Sequence, residues 1–268
     1  MVQSLTNRYR YSVILLRQLV ITDFKLRYQG SSLGYVWSLL RPLALFVILY
    51  FVFAKFLKIG DSIPHFPVYL LVGIVLWNYF AEVTSGSVGA IVGRGDLIRK
   101  INFPKYVIVL AGSFSALINL ALNFVVIAGF MIVNDVDIRS TIVFMPIFIL
   151  ELFIFSLAVS FFLSAVFVRF RDVNYIWEVI MQGAFYATPI LYPLSLVPDN
   201  IAKILMLNPI AQIIQDIRYI LVTPASETIA SVYGTRLARL IPLGMALILV
   251  CVSVWYFRSR SKHFAEEV

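Results

Sequence analysis

Three carboxylates interrupt long apolar runs, at Glu82, Glu151 and Glu178. A charged side chain inside a membrane is costly, so it normally faces the interior of a helix bundle or a water-filled space. Proton transfer is one chemistry of such groups, but a relay requires a chain of titratable partners, and no histidine is near any of the three in the sequence. We therefore expect these carboxylates to pair with polar groups or to line a polar path.

The sequence offers few residues for metal or nucleotide chemistry. Its histidines are His65 and His263 and its single cysteine is Cys251, so no metal site of the histidine–cysteine type is expected. A phosphate-binding G-x-x-x-x-G-K-[ST] loop is absent from the sequence, and any work driven by ATP therefore needs a second chain. The D-x-D tripeptide at 135–137 falls in a short loop on the predicted external side, where no nucleotide sugar is available.

The composition places these residues in a membrane protein. Hydrophobic residues make up 61% of the 268 residues and charged residues 13%, against roughly 45–50% and about 25% in soluble domains. The net charge of +8 comes without a basic run interleaved with aromatic residues, which favours contact with membrane lipids over nucleic acid. We expect one all-α polytopic domain over residues 1–268.

Six segments are apolar enough to cross a bilayer, which takes about 20 residues as a helix. They are 37–57, 68–90, 106–133, 141–168, 175–191 and 240–257. The fifth is short and ends in prolines. Most lysines and arginines lie in one alternate set of connecting loops and at both ends of the chain, whereas aspartates balance those in the other set. The positive-inside rule therefore predicts that both termini are cytoplasmic.

Residues 11–28, before the first span, form a predicted amphipathic helix. Apolar residues including Phe24 recur at helical spacing, while Lys25 and Arg27 add positive charge. Such a helix lies in the plane of the membrane interface, with its apolar face in the acyl boundary. It is either a simple membrane anchor or a docking surface for a cytoplasmic partner.

The cytoplasmic loop 94–104 contains a short stretch that favours a helix and ends in Phe-Pro. Proline ends a helix and fixes the direction of the chain into the next span. The loop is either a plain basic cytoplasmic loop that follows the positive-inside rule, or it carries a helix that inserts into a partner and transmits the partner's movement. The residues concerned are Asp96, Leu97, Ile98, Arg99, Lys100, Phe103 and Pro104.

A second cytoplasmic loop is very short and contains Arg169, Arg171 and Asp172. Arg171 and Asp172 are expected either to pair with each other or to cap the following helix, because aspartate favours helix N-termini. Contact of this loop with a partner is the alternative.

The stretch 188–221 is largely apolar over 188–208, yet Pro189, Pro193, Pro198 and Pro209 forbid a continuous spanning helix there. Irregular backbone at membrane depth is tolerated only where it is buried in protein or lines a watery cavity. We expect two short re-entrant helices, around 186–192 and 200–207, and then an amphipathic helix along the outer surface. The stretch, with Tyr192 in it, is either an external gate or a plain interfacial loop.

Several of these segments together resemble the permease subunits of type-2 ABC exporters, and most of all the polysaccharide branch that exports O-antigen, capsule and teichoic acid. The similar segments are DFKLRY at 23–28, SLGYVW at 32–37, RPL at 41–43, DLIRK at 96–100, FP at 103–104, RFRDV at 169–173, PILYP at 189–193 and NP at 208–209. They follow one another in the same order over nearly the whole chain, which makes the resemblance more specific than any single motif.

The resemblance implies a homodimer bound to two copies of a separate cytoplasmic P-loop ABC ATPase, which would hold ATP and Mg. This chain would then be a transport subunit of the bacterial inner membrane, without enzyme activity or cofactor of its own, that exports a lipid-linked polysaccharide. By the same resemblance 11–28 is the interface helix, 97–103 is the coupling helix and 188–221 carries the external gate. Aromatic residues that could stack on sugar rings define a candidate sugar path: Tyr35, Trp37, Tyr50, Phe80 and Tyr186.

Three other functions remain open at this point. A drug or small-molecule exporter of the same superfamily would share the helices, but it fits the 23–37 segment less well. A membrane enzyme that modifies glycolipids would need a cluster of acidic residues or histidines at one membrane face. A passive scaffold would not need the broken stretch that begins at residue 188.

Overall fold

The computed structural model describes residues 2–28, 30, 33–101 and 103–267, and these residues form helices and loops without a strand. The predicted all-α class is confirmed. The α-helices in chain order are α1 (Val2–Tyr28), α2 (Trp37–Tyr50), α3 (Phe66–Val88), α4 (Gly95–Lys100), α5 (Tyr106–Val133), α6 (Met145–Arg169), α7 (Val173–Ala187), α8 (Asp199–Leu205), α9 (Pro209–Leu221), α10 (Ile229–Tyr233), α11 (Leu240–Arg260) and α12 (Phe264–Glu267).

Five helical segments of the described chain are long and apolar enough to cross a membrane. They are Gly34–Phe56, Phe66–Val88, Tyr106–Val133, Ser140–Arg169 and Arg236–Arg260. Each corresponds to a span expected from the sequence, which confirms a multi-pass helical membrane protein. The first of them joins α2 to the short helical turns on either side of it, Gly34–Val36 and Phe51–Phe56.

The remaining expected span, 175–191, is occupied by α7, which has 15 residues. At roughly 1.5 Å per residue this helix is about 22 Å long, less than the hydrocarbon core of about 30 Å. It ends at Ala187 because Thr188 takes an extended conformation (φ −86°, ψ 136°), as the residue before a proline usually does. The sixth crossing stays a prediction.

The central helix of the bundle is α3, and 78% of its most apolar window is buried, against 11% for the first span. It packs against α2, α5, α6, α7 and α9. Small residues bring α3 and α6 close together: the Ser160 hydroxyl donates to the Val83 carbonyl at 3.1 Å. Packing and hydrogen bonds of this kind drive helix association in a lipid environment, so α3 is the scaffold on which the other helices are placed.

One end of the bundle, here called the α4 end, has its own apolar cluster. Ile98, Phe103 and Phe264 are buried there with residues of α5 and α6, and leucines of α1 pack against them. The predicted interface helix is thereby fixed to the bundle, and it begins earlier than expected, at Val2.

The opposite end, here called the α9 end, carries α8, α9 and α10. Of the two short helices expected there, α8 (Asp199–Leu205) is present. No helix covers 186–192 beyond Ala187, because the two prolines at 189 and 193 interrupt it. Whether the chain re-enters the membrane here stays a prediction.

The expectation for α9 (Pro209–Leu221) is correct as to the helix but wrong as to its place. It does not run along an outer surface: every residue except Tyr219 is buried. The reason is that α9 packs between α3 and α6, so that its polar face is covered by protein as well.

Candidate functional site

Three cavities of about 730, 500 and 570 Å³ lie side by side along one face of α3. The first and second share Glu82 and Gly86, and the first and third share Asn78 and Ser85. These residues recur at helical spacing on α3 and therefore present one continuous face. We call the three joined cavities the α3 groove.

Two asparagines of α5 organise the polar wall of the groove. Asn119 donates to the Glu82 carboxylate at 2.9 Å, and Asn123 donates to the Asn119 carbonyl at 2.8 Å. Asn123 also lies 3.4 Å from the Ser38 carbonyl at the start of α2. Glu82 was expected either to pair with a polar group or to line a polar path. It does both, because it accepts from Asn119 and lines the groove in a wall that joins α2, α3 and α5.

Two buried polar atoms of this wall have no hydrogen-bond partner among the described residues: the Tyr79 hydroxyl and the Asn119 side-chain oxygen. Both residues line the 730 Å³ cavity. A buried polar atom left unpaired costs about 1–3 kcal/mol, and such atoms call for a specific explanation. Hydroxyl groups of a bound ligand are suitable partners for both.

A second polar wall of the groove is a stripe on α7. Asn174, Glu178, Gln182 and Tyr186 follow one another at every fourth position, and all four line the 570 Å³ cavity. Residues at this spacing share one face of a helix. Glu151 does not reach the groove, since it lies on α6 beside the polar residues of α9.

The structure brings only some of the candidate sugar-path aromatics to the groove. Trp37 and Tyr186 line it. Tyr35 is exposed and stacks on Phe24, with 4.9 Å between ring centroids, and Tyr50 packs among the rings of α2 and α3. Phe80 is 5% exposed and faces α6 and α7 away from the groove.

At the α4 end, the residues of the predicted coupling loop divide into two groups. Ile98 and Phe103 are buried and hold the loop to the bundle, with Leu97 and Pro104 half-buried beside them. The exposed residues are Asp96, Arg99 and Lys100. The acidic residue lies in the first turn of α4 and the basic residues in the last, the arrangement that the helix dipole favours.

An ion pair connects this loop to the interface helix: Arg94, just before α4, donates to the Asp23 carboxylate of α1. Phe24 is half-buried beside it and Lys25 is exposed. The side chain of Arg27 lies outside the described residues. The pair also lines the 500 Å³ cavity, so the groove reaches the α4 end at this contact.

The short loop between α6 and α7 exposes Arg169, Arg171 and Asp172. Asp172 precedes α7, but its side chain makes no capping hydrogen bond, because its backbone is already helical (φ −67°, ψ −16°). The described residues show no ion pair between Arg171 and Asp172, and the Arg171 guanidinium lies 5.1 Å from the Phe167 ring centroid instead. Among the described residues, Asp172 neither caps α7 nor pairs with Arg171, so both of these expectations are wrong.

At the α9 end, Pro189 is buried, Pro193 is half-buried and Pro198 is exposed. The hydroxyl of Tyr192 donates back to the Tyr186 carbonyl at 3.1 Å, which folds the segment onto the end of α7. The stretch therefore closes over the same helix whose polar stripe lines the groove.

A buried polar network follows on α9. Asp216 is completely buried, accepts from Gln212 at 2.6 Å and pairs with Arg239 at 2.8 Å. Burial raises the pKa of the Asp216 carboxyl, whereas the bonds from Gln212 and Arg239 lower it. This network fixes α9 to the start of the last span.

Sequence reasoning missed Asn78, Asn119 and Asn123 as site residues, as well as Arg218 on α9. The asparagines could have been found, because amides one helical turn apart in an apolar span are a signal of a polar face. Arg218 gave no such signal, since a basic residue in an external segment looks ordinary until its burial is known.

The fold defines a multi-pass helical membrane protein, and its α3 groove is an open groove with polar side chains from α3, α5 and α7. Residues 14–222 match the family described as ABC-2 type transporter. This covers most of the chain, and the chain belongs to the ABC-2 type transporter family.

Named relatives agree with the family. An O-antigen export system permease protein RfbA of Myxococcus xanthus is 31% identical, with 100% of both chains covered. A protein of the same name from Klebsiella pneumoniae is 29% identical over 98% of this chain and 99% of its own. A polysialic acid transport protein KpsM of Escherichia coli is 21% identical over 75% of this chain and 79% of its own. The resemblance stated from the motifs is confirmed, and these names indicate a transport permease.

Proposed function

We propose that this chain is the transmembrane permease subunit of an ATP-driven transporter that exports a lipid-linked polysaccharide across the bacterial inner membrane. The observation that carries the proposal is the α3 groove. Its amides and carboxylates can exchange hydrogen bonds with sugar hydroxyls, and Trp37 and Tyr186 supply aromatic faces. The names of the relatives point to the same class of substrate.

The proposed active form is a homodimer. The groove in one chain is bounded by α2 and α7, and both helices expose large apolar residues such as Val47, Ile48 and Val179. A second copy facing these helices would turn an open groove into an enclosed path. This supports two permease chains around one route, each lining half of it.

Two copies of a cytoplasmic P-loop ATPase would supply the energy, and ATP and Mg would bind there and not on this chain. Exposed Asp96, Arg99 and Lys100 around α4 form the proposed contact with the ATPase. The Arg94–Asp23 pair gives that contact a direct connection to α1 and to the mouth of the groove. Both termini are then cytoplasmic, and the α9 end faces outward with 188–221 as its gate.

An affinity purification of the chain from detergent-solubilised native membranes tests the proposal. We expect a P-loop ATPase to accompany it in equal amount, identified by mass spectrometry. Deletion of the permease should then make the lipid-linked glycan accumulate on the cytoplasmic side. A small-molecule exporter would leave glycan display unchanged, and the lack of any ATPase partner would refute an ATP-driven subunit.

A further inference from the structure

Arg218 of α9 is completely buried, although it carries a charge. Burial lowers the pKa of its guanidinium to about 10, so it remains protonated at neutral pH. The ion pairs found in the described part of the chain do not include it. A buried charge without an ion-pair partner is retained only where other groups compensate it, and this points to a specific task.

The guanidinium is held by backbone carbonyls of two separate segments. Nε donates to Tyr69 of α3 at 3.0 Å, Nη1 to Pro189 at 2.6 Å and Nη2 to Ile190 at 2.7 Å. The cation also lies 3.6 Å from the centroid of the Tyr69 ring. A planar fork of donors can reach several acceptors at once, whereas the point charge of a lysine cannot.

The carbonyls of Pro189 and Ile190 need such a donor. They lie just after α7 ends, in an irregular segment, and both residues are buried. Buried carbonyls outside a helix must find hydrogen-bond donors elsewhere. Arg218 satisfies both and connects them to α3.

The packing of α3 leaves space for this arrangement at Gly73, one turn after Tyr69. A Cβ atom at Gly73 would collide with Nη2 of Arg218 and would lie 3.2 Å from its Cζ and 3.3 Å from the Ile190 side chain. The guanidinium cannot move aside without losing its carbonyl partners. Gly73 and Arg218 therefore form one structural unit, far apart in the sequence.

We infer that Arg218 is the positioning residue that fastens the segment after α7 to α3 and so holds the outer gate closed in the resting permease. This inference rests on the proposed function. Opening the gate would require the Pro189 and Ile190 carbonyls to leave the guanidinium. Charge-assisted hydrogen bonds contribute about 1.5–3 kcal/mol each, so the loss of one corresponds to an increase of roughly tenfold to a hundredfold in the open population.

The test uses the full chain together with its ATPase partner, in planar bilayers without nucleotide for the resting conductance and in membrane vesicles supplied with ATP for glycan export. Arg218→Gln removes the charge and part of the fork, Arg218→Lys keeps the charge alone, and Gly73→Ala displaces the guanidinium without changing it. Gly129→Ala is the matched control, because Gly129 also lies in a spanning helix and its Cβ would meet nothing within 4 Å. Resting ionic conductance and the rate of ATP-driven glycan export are measured on equal amounts of folded complex.

We expect Arg218→Gln and Gly73→Ala to raise resting conductance at least tenfold, Arg218→Lys to do so in part, and Gly129→Ala to resemble the wild type. If Arg218→Gln does not fold, Gly73→Ala decides the result. The inference is overturned if the wild type exports glycan and the Gly73 and Arg218 variants have the same resting conductance as the wild type. A wild type that exports no glycan would instead refute the proposed function.

Discussion

The ion pair between Asp23 and Arg94 offers the sharpest test of how movement reaches the membrane helices. Asp23 lies on α1 and Arg94 lies just before α4, so the pair joins the two elements proposed to meet the ATPase. Asp23→Arg and Arg94→Asp each place two like charges in contact. The double reversal exchanges the charges and keeps the net charge of the chain.

The size of the effect follows from the burial of the pair. The two side chains are 25% and 18% exposed, so the pair lies between a surface salt bridge and a buried one. Exposed pairs contribute about 0.2–1 kcal/mol, and hydrogen bonds to charged groups about 1.5–3 kcal/mol. A coupling energy of about 1.5 kcal/mol is therefore expected, which corresponds to roughly a tenfold change.

The assay measures glycan export driven by ATP in membranes with equal amounts of each variant, together with the ATPase rate. Each single reversal should lower the amount of glycan exported per ATP hydrolysed about tenfold, because α1 and α4 no longer move as one unit. The double reversal should recover most of this loss. Equal export by both single variants and the wild type, or a double variant no better than either single one, would refute a coupling role for the pair.

Three further predictions concern other parts of the molecule. Tyr79→Phe removes a buried hydroxyl without a described partner, so the thermal unfolding temperature should stay the same or rise while export slows; faster unfolding with normal export would contradict a ligand-binding role. Arg239→Gln leaves the buried Asp216 carboxylate without its cation, and should destabilise the protein by about 3 kcal/mol in a denaturant titration; an unchanged midpoint would contradict this. Arg99→Glu should abolish export while membrane insertion, followed by immunoblotting, stays normal, and normal export would exclude α4 as the coupling element.

The long helices could be predicted from the sequence because the length of an apolar run is close to the length of the spanning helix that it forms. The third span was expected at 106–133 and α5 occupies Tyr106–Val133. Phe-Pro in the loop before it indicated where the chain turns, and α4 (Gly95–Lys100) lies in the loop 94–104, where a short helix was expected. These features depend on neighbours in the chain, which is why local patterns are sufficient.

The position of α9 could not be predicted in the same way. Its pattern is typical of a helix on a surface, yet its polar residues are covered by groups far away in the sequence, such as the Tyr69 carbonyl that accepts from Arg218. The same limit applies to Phe80, which lies on α3, a spanning helix with apolar residues on more than one face. Spacing shows that such a residue lies in a helix, but only packing decides which neighbour it meets.

The enclosure of α3 has a consequence for the synthesis of this protein. It is the least apolar of the five spanning segments and the second to leave the ribosome, before α5, α6, α7 and α9, which pack against it. Its Glu82 carboxylate receives Asn119 only after 37 more residues have been added, which takes about 2–7 s at the usual rate of translation. During those seconds the carboxylate must stay hydrated or be shielded by the insertion machinery. The pace of translation between these two codons therefore bears directly on how much of the chain enters the bilayer correctly.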